Sequence, residues 1–466
     1  MKPARPVLER AVVWREAAWL FGLALALRLA VALYASGRFP PADDGTFYHA
    51  VATRIAAGQG YTWAWPDGVV THAAHYPVGY PALLGAAYAL LGATPLSAMA
   101  LNALFGALLV LGVHACALRF TSISRARLAG LAVAVHPTLV LYTAALMTEA
   151  VAASVLVLLA AYALFVAARG GGSAWRLLLG LGGALLTFVR PQLLPILPVL
   201  GAVAVLVPAD ASRRHALLSR LRGAAEVLII ALVCCLPWTL RNCQKMDGCV
   251  FVSANGGWNL LIGTFPEGRG SFAPIDGPSV PPECRNEFGE AGKDRCFGRA
   301  GTRRIRESPW AWLALGPLKL GQMFNHGAIA SSYLQTSNPS LVTERVRTAI
   351  ATVETLYARL LLLGACVGLL RAARGALGRA LSVAAGLFTL SPWGYLAQLC
   401  LLGALASGRP GPGRRPLELL ALCLLGLCLV THTVFFGAPR YALVWVPWLA
   451  WLMVLPGRPR LAPAHR

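Results

Sequence analysis

The stretch PPADDGTFYHAVATRIAAGQGY, residues 40–61, decides how the chain is read. It follows the first long apolar run, at the point where a membrane helix emerges into water, and it carries two adjacent carboxylates, Asp43 and Asp44. Nearly everything outward from it is hydrophobic. Of the 466 residues, 57% are hydrophobic and only 13% charged, well above the apolar share of a soluble domain. A soluble protein of this size needs far more charge to cover its surface, so the composition predicts an all-α polytopic membrane protein. The net charge of +22 comes in short basic clusters between apolar runs rather than as one face or tail. That spacing marks cytoplasmic loops and not a nucleic-acid site. The N-terminus MKPARPVLERAVVWR is basic, and the apolar segment after it lacks a small-residue cleavage site. It reads as a retained first helix.

Charge parity then sets the expected topology. The first span, 17–35, starts in the cytoplasm and delivers the aspartates outside. Residues 46–57 read as a short helix on the membrane surface, followed by a loop through Gly58, Gly60 and 63–67. The apolar segment 77–91 gives about 22 Å of helix, short of the ~30 Å hydrocarbon core, so it is expected to lie in plane and still outside. Spans 96–118, 128–147, 150–168, 177–189, 193–207 and 224–240 follow, their basic loops (Arg119, Arg125 and Arg127; 169–176; 208–223) falling on the cytoplasmic side. Residues 241–348 form one large polar region, too long for a structureless connector, and are expected to be a small extracytoplasmic subdomain. Its stretch SPWAWLALGPLKLGQMF is amphipathic. After span 350–370 comes 381–406, which is flanked by basic residues at both ends (Arg371, Arg374 and Arg379 before it, GRPGPGRRP after it). It is either two half-spans broken at Ser391 and Pro392 or one span that violates the positive-inside preference. Spans 417–436 and 442–455 complete a bundle of about eleven (10–13) transmembrane helices. The expected divisions are 1–240 with the first loop 37–95, 241–348, and 349–466.

Seven cysteines lie in apolar segments, where a small hydrophobe is the ordinary reading. Cys243, Cys249, Cys284 and Cys296 share the polar region instead, and in an oxidising compartment they can form two disulfides with three connectivities open.

This topology gathers Asp43, Asp44, His72, His75, Tyr76, Glu149, Arg190, Arg241, Asn255, Asn259, His432, Arg440 and Tyr441 at one membrane face. Polar residues favour that boundary in any membrane protein, and for each arginine alone snorkelling is at least as good a reading. Paired aspartates stand out from that background. Held close, they cannot both lose protons easily, so one can have a raised pKa and accept the proton of an attacking hydroxyl. Helix capping is the competing role for the aspartates and for Glu149. His72 and His75, spaced HxxH, could bind a divalent cation with the aspartates. No third ligand has diagnostic spacing, so no cofactor is assigned and the cation stays a second reading.

The motifs DDGTFYHAVATRIAAGQGY, HYPVGYPALLGAAYALLG, LMTEA, FVRP, PWTLRN with SANGGWNLLIG, and FFGAPRY resemble, in order and spacing, the GT-C superfamily of integral-membrane glycosyltransferases. The branch is the family 39-like one that includes the protein O-mannosyltransferases and the lipid A aminoarabinose transferase. The resemblance implies a GT-C-like bundle with in-plane helices in the first extracytoplasmic loop. It implies a catalytic acid there with Tyr four positions on, which is Asp44 with Tyr48; Asp43 is its neighbour where many relatives have Asp-Glu. Glu149 matches a second acid at the start of a later span. Arg190 and Arg440 match basic residues that hold a donor phosphate, while His75 and Tyr76 stand where some relatives have Lys. Tyr441, Arg241, Asn255 and Asn259 complete the expected substrate-binding set.

The activity so implied is inverting transfer of a sugar from a polyprenyl-phosphate-linked donor to an acceptor hydroxyl, on a glycan, lipid or protein. The expected location is the outer face of the cytoplasmic (inner) membrane, with the bilayer as partner and no nucleic acid. The rival is a polytopic lipid or solute transporter or flippase, which predicts internal repeats or broken helices facing each other at the midplane. No clear repeat is visible. An enzymatically silent scaffold of the same fold is the third reading, and the intact acidic residues argue against it.

Overall fold

The computed structural model describes residues 7–170, 172–205, 212–373, 375–408 and 415–457. Several basic residues expected on the cytoplasmic side lie outside these, namely Arg374, the cluster 409–414 and the tail 458–466. So does the segment 206–211.

The chain is an all-α polytopic membrane protein. Among the described residues six helices are long and apolar enough to cross a membrane: Ala11–Ala35, Pro95–Ala117, Glu149–Ala168, Arg214–Lys245, Glu344–Ala372 and Pro416–Val434. The bent pair Ile123–Ala134 and Pro137–Ala144 makes a seventh. That is fewer than the eleven or so spans expected: where the others were placed, the helices are shorter, namely Ser173–Val189, Pro191–Val203, Ala376–Thr389 with Gly394–Ser407, and Val446–Met453 after a 3₁₀ turn at Pro439–Val444. Large apolar side chains such as Leu33, Ile229, Val233, Leu236, Leu356 and Leu360 are exposed along the long helices, as a lipid-facing surface requires and a water-facing one does not tolerate.

The stretch 376–407 forms two helices rather than one span. It is a hairpin of two half-length helices, each about 21 Å long, in which Gly378 faces Ser407 and Gly403 faces Leu381. The break falls at Ser391 and Pro392, and the backbone N–H of Tyr395 beyond it donates to Asn325 Oδ1 at 3.2 Å. The start of the first helix and the end of the second therefore lie side by side.

A second break, at Val135–His136 before Pro137, bends its pair by 54°. Pro137 cannot supply the next N–H, which strands carbonyls inside the bundle. Arg28, from the middle of the first span and 1% exposed, satisfies them. Its Nη1 donates to Ala134 O at 3.0 Å and Ala24 O at 3.1 Å, and its Nη2 to Val133 O at 3.3 Å. Gly106 leaves the room that this guanidinium needs.

The first loop forms the helix Asp44–Ala56, a small hairpin and the helix Gly79–Leu91. The hairpin, strands Thr62–Ala64 and Val70–His72 in register Trp63↔Thr71, is an addition to the helices expected there. The region after 241 folds as short helices with its own apolar cluster of Leu261, Phe265, Phe297 and Ala300 around Cys284 and Cys296. The disulfides pair neighbours in sequence, Cys243–Cys249 and Cys284–Cys296.

Candidate active site

The site is built where four helix ends meet. The first is the start of Asp44–Ala56. Asp43 takes a positive φ of 51°, a conformation that a non-glycine residue adopts only when its surroundings impose it. It makes no side-chain cap. The turn leaves Asp44 as the first helical residue, and next to it Gly45 is obligatory, because a Cβ there would stand 2.9 Å from the Tyr333 hydroxyl and 3.1 Å from Leu146 O. That hydroxyl accepts from the backbone N–H groups of Ala42 at 3.1 Å and Leu146 at 3.3 Å, stapling the first loop to the loop that carries Glu149. Tyr333 is held in turn by Glu354, fully buried, which caps the helix Ala330–Ser337 through the N–H groups of Ala330 and Ser331.

The second and third ends supply Glu149, first residue of its span, and Arg190, just past Ser173–Val189. The fourth is the FFGAPRY turn after Arg415–Val434. Buried Lys319 caps that helix, its Nζ donating to Thr433 O at 2.9 Å and Val434 O at 3.3 Å. Gly437 N donates to Gly270 O at 2.8 Å. So clamped, the turn presents Arg440 and Tyr441.

These groups form one network. Asp44 Oδ1 accepts from the Tyr76 hydroxyl at 2.7 Å, and Oδ2 lies 3.1 Å from Arg440 Nη1. Glu149, 2% exposed, lies between two arginines, its Oε1 at 2.8 Å from Arg190 Nη1 and 3.5 Å from Arg440 Nε. Its Oε2 accepts from the Tyr142 hydroxyl at 3.3 Å. A carboxylate shared in this way offsets the desolvation of both guanidiniums. Arg190 is largely consumed by the protein. Its Nη1 also donates to Thr148 Oγ1 at 3.1 Å, and Gln192, with its amide oxygen turned inward, accepts from Nε at 2.9 Å and Nη2 at 2.7 Å. Arg440 is 27% exposed against 8% for Arg190 and lines the cavity, and among the described residues its Nη2 makes no hydrogen bond or ion pair.

The cavity has a volume of about 520 Å³, the size of a small-molecule site. Asp44, Tyr48, His75, Tyr76, Glu149, Arg190, Asn255, Asn259, Arg440 and Tyr441 all line it, with Thr148, Gln192, Trp258 and His432. Ile262, Phe272, Ile275, Phe435 and Phe436 make its apolar wall. His432 stacks on Tyr441 with ring centroids 4.5 Å apart, and its Nδ1 is 3.0 Å from Phe436 O. A carbonyl only accepts, so Nδ1 carries the proton and Nε2 is left for the cavity. Burial pushes the His75 imidazole down to about 4, against the counter-effect of Asp44, so it is neutral at pH 7. Burial and the adjacent Asp44 carboxylate raise the Tyr76 phenol, keeping it a donor. Burial also raises Asp43, opposed by Arg440 and reinforced by Asp44.

Three residues expected at this face do not line the cavity. Asp43 is absent from the lining. Arg241 spends its guanidinium on the carbonyls of Ala73 and Tyr61, both at 2.8 Å, and stacks on Trp238, so it ties its helix to the first loop. His72 is exposed on its strand, away from the lining. Among the described residues no group of three His, Cys, Asp or Glu side chains is placed to hold a metal ion. Gln192, Tyr142, Tyr333 and Glu354 were not anticipated. Gln192 directly follows the quoted FVRP motif, whereas the other three carry no local signal.

Fold and site together define an α-helical membrane protein with a carboxylate–guanidinium network in a half-apolar cavity at one end of the bundle. No protein-family model and no curated protein matches the sequence. Among solved structures the chain is similar to the archaeal oligosaccharyltransferase AglB from Archaeoglobus fulgidus, in complex with an inhibitory peptide and a dolichol-phosphate. Identity is 11%, over 96% of this chain and 50% of that one, with a TM-score of 0.47. It is also similar to ArnT from Cupriavidus metallidurans bound to undecaprenyl phosphate, at 15% identity over 94% of this chain and 77% of that one, TM-score 0.39. The chain spans half the length of the oligosaccharyltransferase.

Proposed function

We propose that the chain is an inverting glycosyltransferase that moves a sugar from a polyprenyl-phosphate donor to an acceptor hydroxyl, Asp44 acting as base and Arg440 as the phosphate-binding cation. The observation that carries this reading is the Asp44–Arg440 pair, 3.1 Å apart on the wall of a half-apolar cavity. The donor phosphate takes Arg440 from Asp44, because the guanidinium fork matches phosphate oxygens. That exchange frees the Asp44 carboxylate while Glu149 still holds Arg440 by its Nε. The acceptor O–H then gives its proton to Asp44 as its oxygen attacks the anomeric carbon. The bond from that carbon to the phosphate oxygen breaks on the opposite face, and its electron pair leaves with the polyprenyl phosphate. Glu149, bound to two arginines and a tyrosine, positions the cations rather than moving a proton. The two disulfides support placing this end of the bundle in an oxidising compartment outside the cytoplasm.

Asp44→Asn tests the assignment. Transfer from a labelled undecaprenyl-phosphate sugar should fall by about 10²–10⁴-fold, with undecaprenyl phosphate still bound. Wild-type transfer by this variant would sink the role of Asp44.

One observation favours the transporter reading. The two helix breaks, at His136 and near Ser391, face a common cavity lined by His136, Thr138, Thr389 and Gln398. Its volume is about 70 Å³, room for roughly two waters, and it lies off the charged network.

A further inference from the structure

Next to the cavity lies a second depression of about 1120 Å³, open to solvent, between the helices Gly256–Ile262 and Glu290–Glu307. The two meet at Gly256 and Phe435, which line both. Its floor combines the backbone of Gly256, Gly257 and Gly298 with the apolar side chains of Leu260, Val434 and Phe435. At Gly256 a side chain would meet nothing within 4 Å. Its rim is cationic. Arg295, Arg299, Arg303 and Arg306 line it from one face of one helix, spread over about 16 Å at ~1.5 Å per residue. Arg295 donates to Asp247 O at 3.2 Å, and Arg303 pairs with Glu283 and, at 3.9 Å, with Glu307. Arg299 and Arg306 are exposed and make no hydrogen bond or ion pair among the described residues. Glu307 is the single acid of the lining, and Thr302 turns its hydroxyl back to Gly298 O.

From this arrangement we infer that the groove holds the acceptor, an extended glycan chain bearing phosphate or carboxylate groups, whose hydroxyl reaches Asp44 past Gly256. The inference rests on the proposed transfer reaction and names its acceptor class. Guanidiniums in a row match anionic groups in a row, and a rim of one sign concentrates such a chain from solution. At Gly256 a polar chain can come close to the backbone.

The test uses the full chain in phosphatidylcholine nanodiscs, with a short fluorescent inorganic polyphosphate as probe and a neutral dextran oligosaccharide as control. Wild type should bind polyphosphate and not dextran. R299E/R306E should weaken polyphosphate binding by about tenfold or more, while R299K/R306K retains most of it and undecaprenyl phosphate binding is unchanged in both. Equal polyphosphate binding by wild type and R299E/R306E overturns the inference. So does a variant that loses only its association with phosphatidylglycerol vesicles, which would make the rim a membrane contact. Failure of the underlying reading looks different, because undecaprenyl phosphate would then not bind wild type at all, whatever the polyphosphate result.

Discussion

Two regions hold an arginine away from bulk water and use it in opposite ways. Arg28, in the middle of the first span, gives its terminal nitrogens to three backbone carbonyls, two of them at the break before Pro137. Arg440 is bound instead by two carboxylates, on a cavity wall. Backbone carbonyls can neither leave nor change their charge, so the first arrangement is permanent. Carboxylates can change protonation and partners, so the second can exchange. The difference shows that burial of an arginine does not mark function. What marks it is a partner that can be released and a space for what replaces it.

The comparison is most exposed to failure at Arg440. Arg440→Ala should lower transfer by about 10²-fold, the cost of losing one charge-stabilising group at a reacting phosphate, and should weaken undecaprenyl phosphate binding. Unchanged donor affinity would mean that Arg440, like Arg28, is architectural. Tyr76→Phe should cost less, about tenfold in the transfer rate, because it removes one hydrogen bond to the Asp44 carboxylate. Donor affinity should be untouched, and a shift there instead would place Tyr76 on the sugar rather than on the base. Arg28→Met should leave transfer per folded molecule as it is while lowering the thermal midpoint. The Ala134 carbonyl would lose the donor that Arg28 supplies, at about 1–3 kcal/mol for a buried group left unpaired. Loss of activity without loss of stability would erase the distinction between the two arginines.

The same contrast explains what the sequence made legible. Asp44, Glu149, Arg190 and Arg440 each follow or begin an apolar run, so charge parity alone brings them to one face, and the structure places them in one network. End-of-span position says nothing of what a guanidinium binds, which is why Arg241 looked equivalent to Arg440 although two carbonyls hold it. Arg28 is silent in sequence, since its task is created by a break more than a hundred residues later. Tyr333 and Glu354 act through backbone N–H groups that any residue would supply. The half-span hairpin at 376–407 was one of two readings of a charge conflict, and Ser391 with Pro392 marked its tip.

His75 gives the smallest effect and the sharpest check on how dry the cavity wall is. Its neighbours Tyr76 and Trp258 cover it edge-on, at 4.7 and 5.3 Å between ring centroids, and burial lowers its pKa from 6.5 to about 4. Between those values the unfolded chain binds a proton that the folded chain refuses. The stability this site contributes is therefore complete above pH 6.5 and is lost as pH falls through 4. The thermal midpoint in nanodiscs should drop across that window, and His75→Gln should flatten the drop without moving the midpoint's pH dependence above 7. Above pH 6 the imidazole is already neutral, so any acidic limb of the transfer reaction there belongs to another group. If His75→Gln instead leaves the slope between pH 6.5 and 4 intact, water reaches this wall. The cavity then loses the low dielectric that makes the exchange of Arg440 between Asp44 and a phosphate worth more than a surface ion pair.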